Sequence, residues 1–199
     1  ELAEGVQEAL SVDAESFQQR VLEDAEPITE EVDAGTFDNP QAIVGLEYEF
    51  YAVAADGRLA RIPRRLLSYI GFEKELGLHN AEMGTFPDPM NEDGLRAQEC
   101  SVKSRIDAVR RPLDAEGLHL VSDALWTIPP EGETTAEYLT DSIEKEGYVL
   151  ATNMSDAARY HAMANTQAPS AMRIDAPHVS LEADTVMPES LITSIQPHY

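Results

Sequence analysis

The sequence predicts an α+β chain, with helices packed against an antiparallel or mixed sheet. Three observations carry this. Helical and strand periodicities are interleaved without the regular alternation that builds a parallel sheet. The first extended stretches, about 42–54 and 58–62, flank Asp56-Gly57, a tight-turn pair that joins them as a hairpin. Finally, 199 residues with a hydrophobic fraction of 43% suffice for one proper core.

Residues 1 to about 36 read as helical. Leu2, Val6, Ala9 and Leu10, then Phe17, Val21 and Leu22, recur at helical spacing, and Ser11 or Asp13 can cap a second piece. This segment, 1–40, is expected to be a helical packing layer without chemistry, ahead of a sheet-based domain over 41–199. The turn cluster Gly35 to Pro40 delivers the chain into Ile43-Val44-Gly45-Leu46-Glu47-Tyr48-Glu49-Phe50-Tyr51, a strand of β-branched and aromatic residues. Pro63 opens a short helix through Ile70. Leu76 to Thr85 follows as an irregular strand carrying His79 and Glu82. Beyond Pro87 and Pro89, Asn91 or Asp93 starts a long helix to about Glu116, which Pro112 must kink or end early.

Gly117 is a helix C-cap before the strand Leu118 to Thr127, with Asp123 and Trp126 in packing and local hydrogen-bonding roles. After Pro129-Pro130, Thr134 to Lys145 reads as a helix and Tyr148 to Asn153 as a short strand. Ser155 then caps a helix with Arg159, Tyr160 and His161. Ala171 to Ala183 reads as one strand with Arg173, His178 and Glu182, and Pro188 begins a last helix to Tyr199. No repeat of solenoid length is present.

Charge narrows the function. The chain carries 37 acidic against 14 basic residues, a formal net charge of -23. That excludes phosphate-backbone binding as its main task, so no nucleic-acid partner is expected. Among the basic residues only Lys74, Lys103 and Lys145 are lysines, a balance that suits very high salt. No apolar run reaches the roughly 18 residues of a membrane span and no signal pattern opens the chain, so no membrane partner is expected. Cys100 is the only cysteine, which excludes an internal disulfide and fits a cytoplasmic protein; on the core face of its helix it would be an inert small hydrophobe. The chain begins at Glu1 without a Met, which leaves room for a missing beginning.

Strand alternation puts Glu47 and Glu49 on one face, where two carboxylates repel unless a cation sits between them. A divalent ion is the usual partner for such oxygens. With 37 of 199 residues acidic, though, pairs two apart arise readily by chance, and a solvated strand face is the plain alternative. Arg159 can hold a carboxylate or phosphate bidentately or serve as a helix-surface ion pair. His79 and His178 are each as readily satisfied core histidines as ligands.

Taken in order, Gly45-Leu46-Glu47-Tyr48-Glu49-Phe50 resembles the first active-site strand of the glutamate–cysteine ligases, relatives of glutamine synthetase and the guanidino kinases. Glu82-Met83-Gly84-Thr85 is similar to the family's next acidic strand, and Arg159-Tyr160 to an Arg-Tyr pair near the substrate pocket. Ala176-Pro177-His178-Val179-Ser180-Leu181-Glu182 resembles the following strand, and Ile195-Gln196-Pro197 the helix after it. The likeness runs from about 43 to 199 and marks the chain as an acidic, haloarchaeal-type member.

It implies a curved antiparallel sheet with helices on its outer face, the glutamine synthetase and guanidino kinase type of fold. ATP and Mg²⁺ or Mn²⁺ would lie in the concave face. It implies that a glutamate side-chain carboxylate is activated as an acyl phosphate and attacked by an amine such as that of cysteine. Glu47, Glu49 and Glu82 would be the metal ligands, Arg159 and His178 the catalytic residues. Arg159, Tyr160 and Arg173 would hold substrate or nucleotide. Two departures accompany it. Family members are longer, with further ligands and phosphate-holding arginines, so this chain is expected to be the N-terminal part of a longer domain. Ser180 also stands where the family strand often carries another polar residue or a second histidine. A domain that keeps the sheet but binds an amino acid or nucleotide without turnover is the alternative, and a guanidino-kinase-like or glutamine-synthetase-like activity a third reading. Oligomeric state is left open.

Overall fold

A computed structural model of the protein describes residues 1–166, 172–177 and 179–199, so His178 lies outside the described residues. The fold is organised by β1 (Ile43–Ala54), whose β-branched and aromatic residues suit a pleated, two-sided strand. On one side β1 pairs antiparallel with β3 (Asn80–Gly84), which in turn pairs with β2 (Glu73–Lys74). At its start β1 also pairs with β4 (Asp88–Pro89). The other side is shared by β10 (Ile195–His198), opposite Gly45 to Tyr48, and β5 (Leu118–Val121), opposite Tyr51 to Ala54.

Both faces of this sheet are covered, which explains why Phe50 to Val53 are all buried. Phe50 and Ala52 pack with Ala81 and Met83 against α3 (Arg64–Ile70) and α4 (Glu92–Ala115), through Leu66, Leu67, Val109 and Leu113. Tyr51 and Val53 point the opposite way. They meet Tyr138 and Leu139 of α5 (Thr135–Thr140), together with Met154, Met187 and Leu191. Each such side chain contributes about 1.5–3 kcal/mol on burial. A third cluster joins Val6 of α1 (Leu2–Leu10) to Leu150 of β7 (Tyr148–Ala151) and Ala162 of α6 (Ala158–Ala164).

The α+β class with an antiparallel sheet and helices is as the sequence predicts, and several elements fall where expected. Asp13 caps α2 (Ala14–Asp33), its carboxylate accepting from the Ser16 amide at 2.8 Å. Asn91 caps α4 by accepting from the Gly94 amide. The Asp56-Gly57 turn also forms, with the Ala60 amide donating to the Ala52 carbonyl at 3.0 Å. Its returning limb is only a bridge between Val53 and Leu59, because β5 is the neighbour that pairs with the end of β1.

Other expectations are corrected. The helix expected over Thr134–Lys145 stops at Thr140, and β6 (Ser142–Lys145) instead forms a hairpin with β7. Its two-residue turn has φ 55° at Glu146 and 84° at Gly147, the positive angles that match hairpin twist. The single strand expected over Ala171–Ala183 is a second hairpin, β8 (Met172–Ala176) against β9 (Val179–Ala183). The last helix expected from Pro188 is one short 3₁₀ turn, Met187–Leu191, and Ile195–His198 becomes β10, drawn to the open edge of β1. The strand Leu118–Thr127 ends at Val121, which leaves Asp123 and Trp126 outside it. The Trp126 indole still donates to the Gly57 carbonyl at 2.9 Å.

Pro112 does not end α4 early; the helix continues to Ala115. Ser155 does not cap α6, whose N-cap is Ala157. Cys100 is exposed rather than on the core face. The packing-layer expectation holds for α1, but α2 buries no residue, and Phe17 and Leu22 stay about 60% exposed. Among the described residues no helix is long and apolar enough to cross a membrane.

Candidate functional site

The register of the sheet assembles the site. Glu49 of β1 lies directly opposite Glu82 of β3, and Glu82 lies opposite Glu73 of β2. Directly paired strand residues point to the same face, so three strands build a row of carboxylates across the sheet. Glu75 follows Glu73 by two positions. Glu49, Glu75 and Glu82, all half-buried, can each offer an oxygen within 4.8 Å of the other two.

Each carboxylate of the triad is held differently. Glu49 accepts from the Ser194 amide at 2.8 Å and the Gln196 side-chain amide at 2.7 Å, both delivered by the segment that becomes β10. Glu75 accepts from the Tyr160 hydroxyl at 2.8 Å, and that hydroxyl accepts from Arg159 Nη2 at 2.9 Å. The Arg159 guanidinium also lies 4.8 Å from the centre of the Tyr160 ring, a cation–π contact. Among the described residues Glu82 has no comparable partner. Burial, reinforced by Glu47, Glu75, Glu49 and Glu73, pushes its carboxyl up to about 7. Burial likewise raises Glu75, against the Tyr160 hydrogen bond that lowers it.

The triad shares a cleft of about 350 Å³ with the 3₁₀ turn: Glu49 and Glu75 line it, as do Leu76, Asn80, Glu189 and Ser190. That turn is pinned from below. His79, fully buried, places Nε2 2.8 Å from the Ser190 carbonyl and Nδ1 2.6 Å from the Tyr138 hydroxyl. A carbonyl only accepts, so Nε2 carries the proton and Nδ1 accepts from Tyr138. Burial pushes the ring down to about 4, which keeps it neutral. His79 is thus the satisfied core histidine of the two readings open to it.

The structure therefore brings Glu49 and Glu82 together, and ties Arg159 and Tyr160 to the same cluster through Glu75. Glu47, on the same face, sits at the rim and contacts His198 Nε2 at 3.1 Å. Arg173 stands apart on the β8–β9 hairpin, exposed and 3.6 Å from Asp175. Sequence reasoning missed Glu75. Its signal was the alternation Glu73-Lys74-Glu75, a second pair of carboxylates two apart just ahead of the Glu82 strand.

Among the described residues no lysine, arginine or histidine forms an ion pair with Glu49, Glu75 or Glu82. Three clustered carboxylates with no direct ion pair form a hard oxygen donor set that fits Mg²⁺ or Mn²⁺. The chain matches the family model of glutamate-cysteine ligase family 2 over residues 43–199. No curated protein and no solved structure matches it. The chain belongs to glutamate-cysteine ligase family 2, as the ordered motifs from Gly45 onward anticipated. Membership suggests an ATP-dependent ligase, and ligases of this kind generally use ATP with a divalent metal.

Proposed function

We propose that this member of glutamate-cysteine ligase family 2 activates a glutamate side-chain carboxylate as an acyl phosphate, for attack by an amino-acid amine such as that of cysteine. The observation that carries this reading is the Glu49–Glu75–Glu82 triad, with its oxygens within 4.8 Å of one another and no direct ion pair to any of them among the described residues. A divalent ion bound there supplies charge neutralisation for the nucleotide's phosphates and the carboxylate they activate.

The chain's own residues hold that arrangement. Ser194 and Gln196 fix Glu49, Tyr160 fixes Glu75, and the β1–β3 register fixes Glu82. Glu47 extends the acidic row, and we assign it to the rim of the metal site. Arg159, anchored on Tyr160, is the cation we assign to an anionic substrate or phosphate group. Arg173 keeps the substrate-side role, and His178 the catalytic role, that the family likeness gives them. The fold assignment that goes with this reading is the glutamine synthetase and guanidino kinase type, with residues 41–199 as the sheet-based catalytic-type part.

A second reading, an amino-acid-binding domain without turnover, is favoured by one observation. Among the described residues, the cleft beside the triad is lined by no lysine or arginine to take a nucleotide's phosphates. Glutamate-dependent ADP formation separates the two. Under the ligase reading the wild type forms ADP with Mg²⁺ and glutamate, and Glu49→Gln abolishes it while the circular dichroism spectrum stays the same. Undiminished turnover in Glu49→Gln would falsify the metal-site assignment. Stabilisation by glutamate with no effect of ATP and Mg²⁺ would favour binding alone.

A further inference from the structure

We infer that α2 is the surface on which two copies of this chain pair, antiparallel, about a two-fold axis between Asp24 and Ala25. The helix is 20 residues long, about 30 Å. It buries no residue, yet it is not polar all round. Phe17, Val21, Ala25, Ile28 and Val32 recur every three or four residues and form one continuous stripe, while seven carboxylates and Arg20 occupy the rest of the surface. Packing of such a face, more than intrinsic propensity, is what holds a helix together. Its two ends are anchored, through α1 on α6 and through β1, so the stripe itself stays open.

The order of the apolar residues names the occupant. About the point between Asp24 and Ala25, Val21 is matched by Ile28, Phe17 by Val32, and Val12 before the helix by Phe37 after it. All six are between 48% and 63% exposed. A two-fold interface requires a patch that is complementary to itself, in which residue i meets j and j meets i. A row that reads the same in both directions meets that requirement when a second copy lies antiparallel on it. Ala25, the small residue at the centre, lets the two helices approach closely there. One exposed apolar strip of this length, rimmed by charge, marks a contact surface. It is small beside standard protein interfaces, so the pairing is reversible.

Charge fixes the register. Arg20 is the only basic residue of α2 and makes no ion pair among the described residues. Glu31, whose carboxylate accepts from the Thr36 hydroxyl at 2.5 Å, lies on the same flank of the helix about three turns on. Antiparallel pairing brings each copy's Arg20 beside Glu31 of the other, so one contact, made twice, satisfies both arginines. The other carboxylates of the two helices repel, as do two chains of net charge -23. Salt relieves this, since the screening length falls from about 10 Å at 0.1 M to about 3 Å at 1 M. An anionic membrane surface, by contrast, is repelled by the same carboxylates.

Sedimentation equilibrium of the full chain reads the pairing directly, in reducing agent so that exposed Cys100 cannot link copies. With rising concentration the wild type is expected to pass from 21.9 kDa to twice that mass. The dissociation constant should be about 1–100 μM in about 1 M KCl, and at least about threefold weaker in about 0.1 M. Val21→Glu alters a residue exposed in the single chain, so the circular dichroism spectrum should not change. Pairing should nonetheless weaken by about a hundredfold or more, because symmetry puts the new charge at two contacts. Arg20→Glu should weaken pairing about three- to tenfold, and adding Glu31→Arg should restore it, since the exchange rebuilds both cross-pairs. A wild type that stays at 21.9 kDa at the highest concentration and salt overturns the pairing and leaves the face to a different protein. A dimer indifferent to Val21→Glu lies on another surface and overturns it equally. An exchanged variant no tighter than Arg20→Glu alone overturns the antiparallel register.

Discussion

Replacing Glu82 by Gln should stabilise the metal-free protein, although it removes a central residue of the proposed site. Burial and the surrounding carboxylates raise Glu82 from an ordinary value near 4.5 to about 7. The folded state therefore binds a proton that the unfolded chain has released between those two values. Stability contributed by this group falls as pH rises through that window; the penalty is absent below about 4.5 and complete above about 7. At about 1.36 kcal/mol per pH unit the full penalty would approach 3 kcal/mol. Glu82 is only half-buried, so solvent screening reduces it to about 1–2 kcal/mol. Gln cannot ionise and keeps nearly the same shape. At pH 8 in EDTA, thermal unfolding of Glu82→Gln should come about 2–6 °C above wild type, and near pH 5 the two should nearly coincide. Added Mg²⁺ should raise the wild type and leave the variant where it was. A variant less stable than wild type at pH 8 without metal would refute the reasoning, because it would mean that Glu82 is already balanced by protein groups.

Tyr160→Phe removes the hydroxyl that donates to Glu75 at 2.8 Å, and should weaken Mg²⁺ binding by about tenfold or more in a calorimetric titration without unfolding the chain. His79 gives the opposite pH slope from Glu82. Its ring, lowered to about 4, stays neutral where the unfolded chain is protonated, so stability falls as pH drops from about 6.5 towards 4, by up to about 3 kcal/mol. In the Glu82→Gln background, where the competing slope is gone, urea midpoints should fall steadily over that range, and a flat profile would contradict the buried neutral imidazole. Gly94→Ala should destabilise the junction of β4 and α4 by about 1–3 kcal/mol, because its Cβ would stand 1.8 Å from the Pro89 carbonyl oxygen; an unchanged melting temperature would show that the loop yields freely.

How much of this was legible in the sequence depends on distance along the chain. β1 could be read because its run of Ile, Val, Tyr and Phe residues has few other uses, and its face was set by alternation alone. α4 carried its own start signal in Asn91. The meeting of Glu49 with Glu82, by contrast, depends on a register between residues 33 positions apart, so local pattern could name the two residues but not their contact. Glu75 escaped because β2 is only two residues long, too short for a strand pattern to show. The C-terminal misreading has a similar cause. Pro188 does begin a helical turn, but pairing of Ile195–His198 with β1 outweighs any local preference beyond it. In the β6–β7 hairpin the missed signal was local: Glu146-Gly147 is a tight turn, and Ser142–Lys145, the strand before it, was read as the tail of a helix.

The metal site depends on whether Glu49, Glu75 and Glu82 together hold a divalent cation. Calorimetric titration of Mg²⁺ into the metal-free protein at pH 8, beside Glu75→Gln and Glu82→Gln, measures this. Saturable binding is expected in the wild type, and its loss in both variants. Equal binding by all three proteins, or none by the wild type, would contradict it.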